Sequence, residues 1–144
     1  MLNLRKKKKG ITDLRLLDIY NLAYEQNISI SYMPLKDTVS LSCPLGFIVM
    51  DVDKLSDSKE ELVCLSHEIG HCETGSFYNI HSPLDIRQKH EARADRWAIK
   101  KLIPKDELDE AVKCGIVEMW ELAEYFGVPE KFISKACTYY QTQA

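Results

Sequence analysis

Several features that would place this chain in a specialised class of protein are absent from its 144 residues. No stretch approaches the roughly eighteen consecutive apolar residues of a transmembrane helix, and the N-terminal segment lacks the apolar core of a secretory signal. The five cysteines form no C-x-x-C pair, and an odd number argues against a disulfide framework. No repeat or low-complexity tract is present. These absences predict a cytoplasmic protein with reduced thiols and no membrane partner.

Composition and charge indicate one ordinary globular domain. The net charge is −3 and 45% of the residues are hydrophobic, which is enough apolar material to bury a core. The slightly acidic balance gives no electrostatic case for nucleic acid. Residues 5–9 form a basic run, so we interpret residues 1–10 as a basic, flexible N-terminus. We divide the rest into a core at residues 11–103 and a helical C-terminal region at residues 104–144, packed together as a single domain.

The most specific motif is His67 followed directly by Glu68, with His71 four residues after the first histidine. Residues i and i+4 lie on the same face of a helix, so two imidazoles at this spacing can bind one metal ion. Glu68 is rotated away from both histidines. The motif therefore predicts two metal ligands and a carboxylate that acts as general base on a water molecule beside the metal.

The residues around this motif favour a helix. Ser58 and Glu61 have the spacing of a capping box at a helix N-terminus, and Gly75 is a typical C-terminal stop. Gly70 lowers helix propensity, which indicates that another backbone approaches the helix beside His71. We therefore expect a second helix to pack against the motif helix at this point.

A catalytic zinc ion usually takes three protein ligands, so the motif requires a third ligand elsewhere in the chain. We choose Glu91, which lies on a helix predicted from Pro83 to about residue 102. Asp95 follows one turn later, where it can accept a hydrogen bond from a ligand histidine. A solvated face with ordinary ion pairs is the alternative interpretation of these two acids. Four other residues compete with Glu91 as ligands: His81, His90, Cys43 and Cys72.

The remaining pattern predicts an α+β fold. A first helix is expected at about residues 12–26, followed by short strands near residues 28–32, 39–41 and 46–50. They predict a small three-stranded, mostly antiparallel sheet packed on the motif helix. The edge of such a sheet can hold an extended substrate peptide by main-chain hydrogen bonds.

The C-terminal third is predicted to be helical, with breaks at Pro104, Gly115 and Gly127. Residues 122–136 have the spacing of a helix-turn-helix. Acidic residues outnumber Lys131 and Lys135 there, so we do not expect direct binding of nucleic acid. We interpret the segment as a structural helical hairpin, with a protein-docking surface as the further alternative.

The motif at residues 67–71, the segment from Glu91 to Asp95 and the Leu-Ile-Pro at residues 102–104 resemble the ImmA/IrrE family of metallopeptidases. The resemblance extends over roughly residues 11–136. It implies a zincin-like fold with a Zn²⁺ ion at His67, His71 and Glu91. Short members encoded by phages and other mobile elements are similar to anti-repressors, which cleave a helix-turn-helix repressor encoded beside them. The implied partner is therefore a protein substrate of that kind.

The predicted activity is zinc-dependent hydrolysis of a peptide bond, with Glu68 as the catalytic residue. A further donor to the oxyanion is expected. The candidates are Tyr78 and His81, followed by His90 and Tyr32. The alternative function is a non-catalytic regulatory module that binds a protein or DNA, in which zinc only stabilises the fold. A structural zinc site would have four protein ligands.

Overall fold

A computed structural model describes the backbone of residues 2–143 and the side chains of residues 12–143. This part of the chain confirms the predicted α+β class. Across it, every helix is too short or too polar to cross a lipid bilayer. The elements are α1 (Leu2–Glu25), β1 (Ser29–Tyr32), β2 (Ser40–Cys43), β3 (Phe47–Met50), a 3-10 turn (Val52–Lys54), α2 (Ser58–Thr74), α3 (Leu84–Leu102), α4 (Lys105–Lys113), α5 (Met119–Phe126) and α6 (Glu130–Thr142).

Helix α1 begins at Leu2 instead of near residue 12, so the predicted start was wrong. Its first turns are rich in leucine, arginine and lysine, which are strong helix formers, and a single glycine costs only about 1 kcal/mol. The backbone of the basic run at residues 5–9 is therefore helical. The side chains of that run lie outside the described residues. The proposed division at residues 10 and 103 stays a prediction.

The sheet contains the three predicted strands, in the order β1-β3-β2. It is mixed rather than mostly antiparallel, because β1 pairs with β3 in parallel and β2 pairs with β3 antiparallel. Strands β2 and β3 form a hairpin that turns at Gly46, whose φ is 82°. The connection at residues 33–39 leads from β1 across the place that β3 occupies. Strands β1 and β2 therefore lie on opposite sides of β3. Strand β2 consequently lies at an edge of the sheet.

Helix α2 carries the HExxH motif and begins at Ser58, as predicted. Its cap differs from the prediction by one residue, because Asp57 accepts a hydrogen bond from the backbone N–H of Glu60 at 2.9 Å. The helix ends at Gly75, which has a left-handed φ of 64°. One face of the helix is fully buried, through Leu62, Leu65 and Ile69. The opposite side is left to carry the polar site.

Helix α3 starts one residue after Pro83 and packs closely against α2. A Cβ atom added to Gly70 would lie 2.7 Å from the carbonyl oxygen of Ala94, which is far inside normal contact distance. Ala94 and Ala98 are fully buried. The predicted close approach of a second backbone beside His71 is thus confirmed, and glycine with alanine makes it possible.

The C-terminal helices pack on the rest of the chain. The predicted breaks are found: Gly127, with a φ of 68°, is the C-cap of α5, and Gly115, with a φ of 91°, directly follows Cys114, the C-cap of α4. The guanidinium of Arg15 in α1 donates to the backbone carbonyls of Phe126 and Leu102. The hydroxyl of Tyr140 in α6 donates to the carbonyl of Ile103 at 2.7 Å. The side chains that α5 and α6 bury belong to one continuous core cluster, and include Leu122, Phe126, Phe132, Ile133 and Ala136.

Candidate metal centre

The two histidines of the motif face each other on α2. The Nε2 atoms of His67 and His71 are 3.1 Å apart, and their ring centroids are separated by 4.8 Å. His71 is buried and His67 is partly exposed. The spacing of one helical turn is therefore realised with both reactive nitrogens directed to the same point.

Glu91 brings a carboxylate from α3 to this point. Its Oε2 lies 2.8 Å from Nε2 of His67, and its Oε1 lies 3.2 Å from Nε2 of His71. One ligand atom from each of the three residues falls within 4.8 Å of the others. Two imidazole nitrogens and a carboxylate oxygen are typical ligands of a catalytic zinc ion. The three residues selected from the sequence are thus brought together.

Hydrogen bonds to the Nδ1 atoms, on the far side of each ring from the ligand group, determine which nitrogen of each imidazole carries a proton. Nδ1 of His67 lies 2.8 Å from Oδ1 of Asp95, and Nδ1 of His71 contacts the backbone carbonyl of Ser76. Both partners are acceptors, so each Nδ1 carries a proton. In the neutral tautomer each Nε2 then presents a lone pair toward the other Nε2 and toward Glu91. Either a proton or a metal cation can satisfy these converging electron pairs, and a divalent metal ion fits the donor set.

The metal-free electrostatics follow from the same contacts. Burial alone would lower the pKa of His67, but its hydrogen bonds with Asp95 and Glu91 outweigh burial and raise that pKa to about 10. The pKa of Glu91 is held well below its usual range by hydrogen bonds with the two histidines. Burial would raise the pKa of Asp95, but His67 and Lys135 lower it. Protons and a metal ion therefore compete for one pair of imidazoles.

Glu68 lies beside the ligands without joining them. Its side chain is buried and accepts a hydrogen bond from the hydroxyl of Ser40 in β2 at 2.8 Å. Glu68, the three ligand residues and Ser40 share the wall of one open cleft of about 650 Å³. A carboxylate in this position can exchange a proton with a molecule bound in the cleft.

The candidate oxyanion donors occupy different places. Tyr78 lines the cleft, and its hydroxyl donates to Oε1 of Glu91 at 2.6 Å, which raises the pKa of Tyr78 to about 12. His81 is exposed and does not line the cleft. The ring of His90 stacks on Tyr78 with centroids 6.3 Å apart. Only Tyr78 among these three is brought to the ligand group.

The hydroxyl of Tyr32 belongs to a separate chain of hydrogen bonds. Its hydroxyl donates to the hydroxyl of Tyr20 at 2.7 Å, and Tyr20 donates to Glu61 at 2.6 Å. Glu61 and both tyrosines are absent from the lining of the cleft. Strand β1 lies at the far edge of the sheet from β2, so the order of the strands keeps Tyr32 away from the ligands.

The competing ligands do not join the site. Among the described residues, the group that could hold a metal ion consists of His67, His71 and Glu91. Cys43 and Cys72 are free, partly buried thiols, and burial raises the pKa of Cys72 to about 11. Thiolate is the form that binds metal, so this thiol is also a poor ligand at neutral pH.

Three residues of the site had not been selected from the sequence. Ser76 could have been found from the sequence, because it directly follows Gly75, the predicted C-terminal stop of the motif helix. Its carbonyl is therefore close to the last turn of α2, which carries His71. Ser40 and Lys135 have no such local signal. Lys135 in α6 places its Nζ 3.0 Å from Oδ2 of Asp95, and it is 40 residues away from Asp95 in the chain.

The fold and the site define an α+β domain with a candidate metal site of the HExxH type. The chain belongs to the family of the IrrE N-terminal-like domain, a peptidase family, whose pattern it matches over residues 24–138. This match confirms the resemblance to ImmA/IrrE proteins and includes every residue of the site. Comparison with curated proteins gives no significant match.

Proposed function

We propose that this protein is a zinc-dependent endopeptidase. The observation that carries the proposal is the convergence of His67, His71 and Glu91 on one point of a cleft that Glu68 also lines. Membership in a peptidase family supports the same class of reaction. A divalent metal ion held by the three ligands would supply Lewis-acid chemistry, acidifying water and polarising the carbonyl of the scissile bond.

The residues of the chain have distinct tasks in this reaction. Glu68 accepts one proton from the attacking water as the new C–O bond forms, and delivers that proton to the amine nitrogen as the C–N bond breaks. Asp95 and the carbonyl of Ser76 hold the two imidazoles in the tautomer that presents Nε2. The hydroxyl of Tyr78 is the candidate donor to the developing oxyanion, because it already lies at a ligand oxygen.

Zinc is the metal that best fits this donor set. Catalytic zinc sites combine three protein ligands with one open position, and two histidines with a glutamate are one of the established combinations. A structural zinc site would be closed by a fourth protein ligand. In the described part of the chain no fourth histidine, cysteine or acid joins the group. This arrangement favours the enzyme over a non-catalytic regulatory module.

The substrate is proposed to be a protein that binds as an extended strand. Strand β2 lies at the edge of the sheet, and its residues Ser40, Leu41 and Ser42 line the cleft. The main chain of a substrate can pair with such an edge while its scissile bond lies over the metal ligands. We propose a helix-turn-helix repressor encoded beside this protein as the substrate, as the resemblance to the short members of the family implies. The free state of all five cysteines fits the reducing cytoplasm in which such a repressor works.

The test is cleavage of the neighbouring repressor by the zinc-loaded protein and by a Glu68→Gln variant. The native protein is expected to produce two fragments, and the variant to lose about 100-fold or more in rate while it keeps its zinc, because only the proton acceptor is removed. Fragments are measured by mass spectrometry, and zinc by elemental analysis. Cleavage by the variant at the native rate would remove Glu68 from its assigned role. Intact repressor with the zinc-loaded native protein would exclude that substrate.

A further inference from the structure

We propose that Ser40 is a positioning residue for Glu68, and that the thiol of Cys64 orients the Ser40 hydroxyl. This inference depends on the proposed function, because it assigns Ser40 a task in the proton transfer made by Glu68. The three side chains form a short hydrogen-bonded chain. Sγ of Cys64 lies 3.0 Å from Oγ of Ser40, and Oγ of Ser40 lies 2.8 Å from Oε1 of Glu68.

The direction of both hydrogen bonds follows from the groups involved. An ionised carboxylate only accepts hydrogen bonds, so the single hydroxyl proton of Ser40 is committed to Glu68. Ser40 must then accept from its other neighbour, and the S–H of Cys64 is the donor. Burial raises the pKa of Cys64, which keeps it in the thiol form that this arrangement needs. The chain of donors therefore runs from Cys64 through Ser40 to Glu68.

The sheet holds Ser40 at this place. In the antiparallel register Ser40 pairs with Met50 of the central strand, and the carbonyl of the preceding Val39 accepts from the N–H of Asp51 at 2.8 Å. The carbonyl of Ser40 also accepts from the hydroxyl of Thr38 at 2.9 Å. Cys64 and Glu68 are one turn apart on α2 and therefore share a face. The hydroxyl is thus held between a fixed strand and a buried helix face.

Ser40 provides the one hydrogen bond that the Glu68 side chain has with described residues. A glutamate has three rotatable bonds, and a carboxylate without a partner would move among several rotamers. With Oε1 held by Ser40, Oε2 is the oxygen that remains able to take a proton in the cleft. The loss of this hydrogen bond should reduce the fraction of Glu68 in the reactive orientation, without removing a contact to metal or substrate.

The test compares Ser40→Thr with Ser40→Val in the zinc-loaded, full-length protein. Threonine and valine have nearly the same shape and both suit a strand, but only threonine keeps the hydroxyl. We expect Ser40→Thr to retain kcat within about threefold and Ser40→Val to lose about tenfold, with KM within about twofold in both. Cys64→Ala should lose about threefold in kcat. Ser31→Ala, an exposed serine of β1, is the control and should match the native protein.

A crystal structure of each zinc-loaded variant gives a readout that needs no substrate. The Glu68 carboxylate should keep its native place in Ser40→Thr and leave it in Ser40→Val. Equal kcat values for the two variants, a change confined to KM, or an unmoved Glu68 in Ser40→Val would overturn the inference. If the native protein cleaves nothing, the proposed function fails, and the position of Glu68 in the crystals still decides whether Ser40 holds it.

Discussion

The two helices that build the candidate metal site contribute in different ways. Helix α2 supplies side chains that lie largely inside the protein, since His71 is 6% exposed and His67 is 20% exposed. Helix α3 supplies carboxylates that lie nearer to solvent, with Glu91 at 40% and Asp95 at 29%. The buried helix presents imidazoles whose orientation is already determined by outer hydrogen bonds. The more exposed helix completes the site with negative charge.

This difference shows that the spacing of the two histidines and the placement of the third ligand depend on different parts of the structure. A pair of ligands on one helix has its mutual distance set by the helix itself. The third ligand depends on how closely two helices pack, and here the close contact of Gly70 with Ala94 sets that distance. The site is therefore most sensitive at Glu91 and at the helix crossing. Three changes can test this comparison.

The largest effect is expected from Glu91→Ala, which removes what α3 contributes to the ligand set. Zinc affinity should fall more than about 100-fold, because the loss of even an outer partner of a ligand commonly costs 10- to 100-fold. Zinc per chain is measured by elemental analysis after purification without chelator, and affinity by chelator competition. Asp85→Ala changes an exposed acid at the start of α3 and should retain native affinity. Native zinc content in Glu91→Ala would show that α2 holds the metal without this ligand.

A smaller effect is expected from Gly70→Ala, which separates the two helices without changing a ligand. Helix propensity alone predicts a gain of about 1 kcal/mol. The added Cβ would lie 2.7 Å from backbone oxygen of Ala94, and overpacking of this kind costs about 1–3 kcal/mol or more. We expect the steric contact with Ala94 to outweigh the gain in helix propensity. The variant should then show lower stability in denaturant unfolding and weaker zinc binding. The sign of the stability change decides between the two effects.

A control for the helix crossing is available on the same helix. Glu73→Ala replaces an exposed residue of α2 and should change stability by no more than about 0.5 kcal/mol. If Gly70→Ala were more stable than the native protein and bound zinc equally well, the close packing would not control the position of Glu91.

The mildest change is pH, which alters the charge of the imidazoles on α2 without a substitution. In the metal-free protein the pKa of His67 is raised to about 10, so zinc must displace at least this proton at neutral pH. Affinity should rise with pH by about tenfold per unit for each displaced proton, up to about pH 10. Chelator competition at several pH values and calorimetry in buffers of different ionisation enthalpy measure this. An affinity independent of pH would contradict the proton competition.

The stability of the metal-free protein should change in the opposite direction. The raised pKa of His67 contributes stability that is fully present below about pH 6.5 and is lost as the pH rises through about 10. Zinc removes this dependence, because the metal replaces the proton. Unfolding curves of metal-free and zinc-loaded protein at pH 7 and pH 9 should therefore diverge as the pH increases.

Much of the site could be predicted because its signals are local. The spacing of His67, Glu68 and His71 is a property of one helix, and the ends of α2 follow from short-range capping. Glu91 and Asp95 were also predicted, from ligand number and from their spacing of one turn. The structure brings all five together.

Other features could not be predicted, because they depend on contacts between distant segments. Tyr32 and His81 were reasonable candidates by residue type, but the strand order and an exposed loop keep them out of the cleft. Ser40 was missed because nothing in strand β2 indicates which helix residue it will meet. The parallel pairing of β1 with β3 was missed for the same reason, since alternation reveals a strand and not its neighbour.

By itself, the sequence determined the pattern of the candidate site: two histidines and a glutamate on a single helix, with glycines that end helices and allow a close approach. Hydrogen bonds within each helix enforce these relations over a few residues, so no other part of the chain is needed. The tertiary structure alone decided that the Glu91 carboxylate reaches the two histidines, that Lys135 pairs with Asp95 and that Ser40 donates a hydrogen bond to Glu68. These contacts join residues 24 to 40 positions apart, and only the packing of helices and sheet brings such residues within hydrogen-bond distance.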